Sequence, residues 1–212
     1  MLASCESRWF FPIESFVVPQ TLLTRFGSKQ PAGERIDRYL WLQGSAAVGV
    51  KWRGGEQAVF EVKSLVSSPR AWRFKPGIGG QIDQWTKWRV SDPQLGVVDQ
   101  IFAASATWVS IRKKRFLRHF QPGPVEVPEI SFAQGCNAEL TAIEIVGQAR
   151  RAFWCSLGFE AYGAEKDVLS ILDSTAETVF ASDPGIWSET LSRALPVSYP
   201  VWLTLAVHRP ER

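Results

Sequence analysis

Three cysteines, one methionine and two histidines in 212 residues leave several kinds of chemistry without raw material. Cys5, Cys136 and Cys155 are odd in number and widely spaced, so they support neither a disulfide framework nor a zinc site. A reducing, cytoplasmic setting is expected. His119 and His208 are isolated from any Ser or Cys nucleophile pattern, which leaves triad chemistry unsupported. No stretch approaches the about 20 apolar residues of a membrane-spanning helix. Glu6 and Arg8 arrive before any apolar run of signal length, so neither a leader nor a membrane partner is expected. Leu2-Ala3-Ser4-Cys5 looks like a lipoprotein cleavage box but lacks the hydrophobic region that precedes one. Gly77-Ile78-Gly79-Gly80 lacks the Gly-Lys-Ser/Thr ending of a phosphate-binding loop. The charge excess is also small, +3 with a pI near 8.9, short of a duplex-binding protein. With no nucleic-acid motif, an anionic small molecule is the expected partner.

What the chain holds in quantity is apolar surface and charge in alternation. At 45% hydrophobic residues it can bury one substantial core, and no Pro/Ser linker divides it, so residues 1–212 are expected to form a single domain. Ten Trp fall mostly in strand-like segments and read as large hydrophobes packing a sheet. Charged pairs recur at i, i+2: Glu6/Arg8, Lys51/Arg53, Glu61/Lys63, Lys113/Arg115 and, less clearly, Lys87/Arg89. Side chains alternate faces along a strand, so each pair points to one side. Such a face is either solvated or wrapped around a polyanion.

The pattern predicts strands over residues 4–11, 35–43, 46–53, 58–66, 82–90, 104–120, 138–146 and 152–162. Gly54-Gly55-Glu56 suits a hairpin between the third and fourth. A short helix is expected near 22–26. Residues 67–80, with Pro69, Pro76 and three Gly, read as a loop, and the Pro-rich stretch 121–128 as a break. After Gly163 the period changes. Apolar positions at i, i+3, i+4 predict a helix over 164–181, and Asp183-Pro184-Gly185 starts a shorter one that Pro196 ends. Strands followed by helices give an antiparallel α+β fold, and that many strands can close into a barrel.

The order of these pieces resembles the CYTH superfamily, the triphosphate tunnel metalloenzymes. The opening motif of that family, Glu-x-Glu-x-Lys, is similar to Ser4-Cys5-Glu6-Ser7-Arg8, with the first acid absent. Lys51-Trp52-Arg53 and Glu61-Val62-Lys63 resemble its Arg-x-Arg strand, hairpin and Lys-ending strand, and Lys113-Lys114-Arg115 its later Lys-x-Arg strand. Residues 139–144 and 154–161 resemble its acid-bearing strands. Phe159-Glu160-Ala161 stands where the family has Glu-x-Glu, with Gly158 in place of the first acid. Ser198-Tyr199-Pro200 resembles a Ser-Tyr near the end of many members.

The resemblance implies a closed antiparallel barrel of about eight strands with a charged interior and C-terminal helices. It implies that Arg8, Lys51, Arg53, Lys63, Lys113 and Arg115 bind phosphates, and that Glu6, Glu160 and Glu139 hold Mg²⁺ or Mn²⁺. Glu61 is a further candidate carboxylate, and Glu144 lies on the opposite face from Glu139. The expected function is binding and metal-dependent hydrolysis of inorganic tripolyphosphate or an organic triphosphate; a homodimer is a compatible assembly. Ser4 and Gly158 remove two carboxylates. The alternative is therefore an inactive tunnel that binds a phosphorylated ligand or partner. A lipocalin-like barrel with its charges outward is a third reading, and a solvated open sheet, with surface ion pairs of about 0–1 kcal/mol each, a fourth.

Overall fold

The computed structural model describes residues 2–27, 31–42, 44–54, 58–75, 77–91, 107–128, 133–147 and 151–207. The elements run β1 (Leu2–Ile13), α1 (Gln20–Phe26), β2 (Glu34–Leu40), β3 (Val48–Arg53), β4 (Val59–Leu65), β5 (Arg70–Lys75), β6 (Ile78–Ser91), β7 (Trp108–Gln121), β8 (Val125–Val127), β9 (Gly135–Ile145) and β10 (Phe153–Gly163). Then follow α2 (Glu165–Phe180), α3 (Pro184–Ser192), β11 (Leu195–Pro196) and α4 (Tyr199–Val207). His208 and most of the expected Gly54-Gly55-Glu56 turn lie outside the described residues.

Eight strands close on themselves in the order β1-β10-β9-β7-β2-β3-β4-β6, every neighbour antiparallel, with β6 returning to β1. This is the barrel that the resemblance implies. Closure removes the exposed edges that an open sheet would present. It also rules out the solvated open sheet, because each charged face now has an inside to point to.

Alternation gives every strand an inner and an outer side. Outward from β1 and β10 point Cys5, Trp9, Phe11, Leu157, Phe159 and Ala161, and α2 lays Val168, Leu172, Val179 and Phe180 over them in one continuous core. Trp9 is its centre: Phe74, Phe159 and Phe180 meet it edge-on at centroid distances of 5.3, 6.2 and 5.9 Å. The α2 first turn carries Glu165 and Asp167, which the helix dipole favours. Asp183 caps α3 by accepting from the Ile186 amide at 3.1 Å, with Pro184 entering the first turn.

Inward from β1 point Glu6, Arg8 and Phe10, opposite Glu160, Gly158 and Ser156 of β10. At one end of the barrel this inner face turns apolar. Phe10, Ile111, Ile143 and Trp154 gather there around α4, which supplies Tyr199, Trp202 and Leu203. Phe10 stacks on Trp202 at 4.7 Å and 5°, and Tyr199 on Tyr39 at 4.6 Å and 16°. Helix α4 was not expected from the sequence. Its residues are apolar on almost every side, so they show no helical period, although only the stripe Tyr199, Trp202, Leu203 and Ala206 is buried. Among the described residues no helix is long and apolar enough to cross a membrane.

The expected loop over 67–80 is instead β5, a turn and the start of β6. Its Gly80 serves packing. A Cβ at Gly80 would lie 2.5 Å from Trp9 Cζ2, and Trp9 Nε1 donates to the Gly79 carbonyl at 2.9 Å. Phe74 is buried against Trp9 and Phe180, and Trp72 Nε1 donates to Asp173 of α2 at 2.8 Å. The stretch 121–128 likewise holds a turn and β8, paired back on β7.

Candidate anion-binding tunnel

The inner faces enclose a cavity of about 670 Å³. It is lined by all nine residues expected at the site: Arg8, Lys51, Arg53, Lys63, Lys113, Arg115, Glu6, Glu139 and Glu160. The lipocalin-like reading needed these charges to point outward, and they point in. Glu61 also lines the cavity, whereas Glu144 faces Arg112 at 3.4 Å and Arg151 at 3.8 Å instead. Register explains the convergence. On neighbouring strands Glu6 faces Glu160, Arg8 faces Gly158, and Gly158 faces Glu139; Lys51 faces Glu61 and Lys63 faces Lys87.

Sequence reasoning missed Arg35, Asp37 and Tyr39, noted Tyr199 only as part of a Ser-Tyr resemblance, and gave Lys87 and Arg89 only as a weaker pair. The signal for the first two was present, because Arg35 and Asp37 are themselves an i, i+2 pair on β2. His119 also lines the cavity, its Nδ1 2.8 Å from Asn137 Oδ1.

Two ionic clusters organise the interior. In the first, Glu6 takes Arg8 Nε at 3.0 Å and Lys63 Nζ at 2.8 Å. Arg8 Nη1 reaches Glu139 at 3.1 Å and the Ser156 hydroxyl at 3.2 Å, and Arg115 reaches the other Glu139 oxygen at 3.3 Å. Lys87 pairs with Glu160. In the second, Asp37 is fully buried and gathers Arg35 at 3.2 Å, Arg53 at 2.9 Å and Lys113 at 3.3 Å. Lys113 also donates to the Tyr39 hydroxyl at 2.6 Å and lies 4.3 Å from the Tyr199 ring centroid. Lys51 and Glu61 pair across β3 and β4 at 2.6 Å.

These contacts set the protonation states. Burial alone would raise the Glu6 carboxyl, but Lys63, Arg8 and Lys87 overcome it and hold it well below the usual carboxylate range. Burial likewise opposes Arg8, Arg115 and Lys113 at Glu139, which they bring down to about 2. On the cationic side burial wins: it lowers Lys113 to about 7 against Asp37 and Glu139, and Lys87 to about 8 against Glu6. Nine basic side chains line the cavity against four carboxylates, with Asp37 behind them. Their crowding in a partly dry interior favours an anion that brings further negative charge.

The acids do not fit a resident Mg²⁺ or Mn²⁺. Such ions take a shell of oxygen donors from carboxylates and water, and among the described residues no three His, Cys, Asp or Glu side chains converge on one point. Glu6, Glu139 and Glu160 are each already engaged by a lysine or arginine. Ser4 hydrogen-bonds the Trp85 carbonyl at 3.4 Å, and Gly158 offers no ligand.

No protein-family model matches the chain, and no curated protein matches it significantly. Among solved structures it is similar to the candidate adenylyl cyclase HpAC1 from Hippeastrum, described as revealing a dominant triphosphatase activity. Identity is 10% and the TM-score 0.45, over 99% of this chain and 98% of that one.

Proposed function

We propose that the tunnel binds a triphosphate-bearing anion, inorganic tripolyphosphate or an organic triphosphate. The observation that carries this is the convergence of nine basic side chains from six strands on one cavity. Three of them, Arg8, Arg53 and Arg115, present forks that bond phosphate oxygens in pairs, while Lys51, Lys63 and Lys113 act as point charges. The proposed phosphate-binding roles are those that the resemblance implied, with Arg35, Lys87 and Arg89 added.

Hydrolysis of the same anion is the second reading, favoured by the surplus of cations, because charge neutralisation is most of what phosphoryl transfer asks of a protein. Without turnover the protein is a binding module. Calorimetric titration of the full chain with tripolyphosphate should give a saturable exothermic isotherm, and Arg53→Ala and Arg115→Ala should each weaken it roughly tenfold or more. Unchanged affinity in both variants would refute the assignment. Phosphate release measured with Mg²⁺, with Mn²⁺ and with EDTA separates enzyme from module.

A further inference from the structure

Arg8, the basic residue of the opening motif, and Gly158, which stands in place of an acid, form one structural unit. Arg8 and Gly158 are direct partners across β1 and β10, and the Arg8 guanidinium lies flat over the glycine. A Cβ at 158 would sit 2.6 Å from Arg8 Cζ, 2.7 Å from Nη2 and 2.9 Å from Nη1. Any side chain there would overlap it. Gly158 has no positive φ, so the residue is small for room and not for backbone freedom. An acid at 158 and Arg8 in its present seat are mutually exclusive.

The guanidinium is also held in place. Nε meets Glu6, Nη1 meets Glu139 and Ser156, and the side chain is 9% exposed while still lining the cavity. Among the described residues its hydrogen bonds run from Nε and Nη1 only, which leaves Nη2 with bonding capacity for a ligand. A lysine could not do this, since one ammonium cannot span two carboxylates and still offer a planar edge to a ligand. A divalent cation drawing on Glu6 would have to displace both Arg8 and Lys63, the groups that bond it now.

We propose that Arg8, clamped by Glu6 and Glu139 over Gly158, is a built-in replacement for a metal ion, so that the tunnel binds triphosphate-class anions with no divalent cation. This rests on the anion-binding reading above, and one experiment keeps the two apart. The full chain is titrated calorimetrically with inorganic tripolyphosphate in EDTA and again in millimolar Mg²⁺. The wild-type affinity should agree between the two conditions to within about twofold, allowing for the Mg²⁺ that tripolyphosphate itself sequesters. Binding that requires Mg²⁺ overturns the inference and leaves the anion-binding reading standing; no binding in either condition overturns both.

Two variants test the residue pair. Gly158→Ala pushes the guanidinium off its seat, and Arg8→Lys removes its fork. Each should lose roughly tenfold of the affinity measured in EDTA while keeping the wild-type circular dichroism spectrum. The double substitution Arg8→Lys with Gly158→Glu restores an acid and frees its space, and its binding should become stronger on adding Mg²⁺. Variants that bind in EDTA as tightly as wild type would overturn the proposal. Should a variant fail to fold, the wild-type comparison still decides.

Discussion

Lys113 shows how much one residue owes to its surroundings. It is 5% exposed, and burial lowers its ammonium to about 7 although Asp37 and Glu139 pull the other way. The unfolded chain keeps that proton to about pH 10.4. Between about pH 7 and 10 the unfolded state therefore binds more protons, and the contribution of Lys113 to stability rises with pH across that window. Anion binding has the opposite sign, because only the charged form attracts phosphate. Tripolyphosphate affinity is expected to fall by roughly tenfold between pH 7 and 9 as this charge is lost. Arg keeps its charge throughout, so titrations of Lys113→Arg over the same range should be clearly shallower, retaining only the part that Lys87, lowered to about 8, contributes. An equally steep profile in that variant would assign the pH dependence elsewhere.

At the scale of elements, the contrast between β3 and β5 explains what the sequence reveals. In β3 the alternation of Val48, Val50 and Trp52 with Gly49, Lys51 and Arg53 is clean, because one side of the strand meets the ionic interior. In β5 the segment Arg70–Lys75 carries polar residues on a surface hairpin and is surrounded by Pro and Gly, which ordinarily mark loops. The fact that decides it is remote: Gly80 makes room for Trp9, whose Nε1 donates to the Gly79 carbonyl about 70 residues away in the chain. Helix α4 was hidden for a different reason, since apolar residues on its exposed side as well as its buried stripe erase amphipathic period. Gly80→Val should accordingly destabilise the protein by about 1–3 kcal/mol through overpacking against Trp9, measured by urea unfolding, while Gly79→Ala, where added bulk meets nothing within 4 Å, should cost less than about 1 kcal/mol. Equal effects would mean that β6 needs glycine here for reasons other than Trp9.

The whole molecule supplies what no single strand contains. Most of the site was legible as i, i+2 charged pairs, yet Asp37 could be recognised as a hub only after closure set β2 beside both β3 and β7, bringing Arg53 and Lys113 onto one carboxylate. The resemblance placed the acids correctly in the cavity, but their partners, and hence their poor fit to a metal, depend on the closed geometry. Closure also concentrates like charge in the folded state alone. An anion that binds only there should stabilise by about 2.7 kcal/mol at one hundred times its Kd, or about 5–10 °C in Tm for a chain of this size. Differential scanning calorimetry with tripolyphosphate checks this, with sodium chloride of matched ionic strength as the control. A shift no larger than the salt control would show that the interior cations are already satisfied.

The tunnel also has a direction. One end of its lining is ionic, at Arg8, Lys63 and Lys87, and toward α4 it becomes apolar, at Leu40, Trp41, Val48 and Leu203. A symmetric chain of phosphates would lie equally well either way round in a uniform tube. Here the two orientations would differ in energy for a guest with a charged tail and an apolar head, whose tail would favour the cations and whose head would favour Leu40, Trp41 and Leu203. The barrel is thus a vector as well as a container.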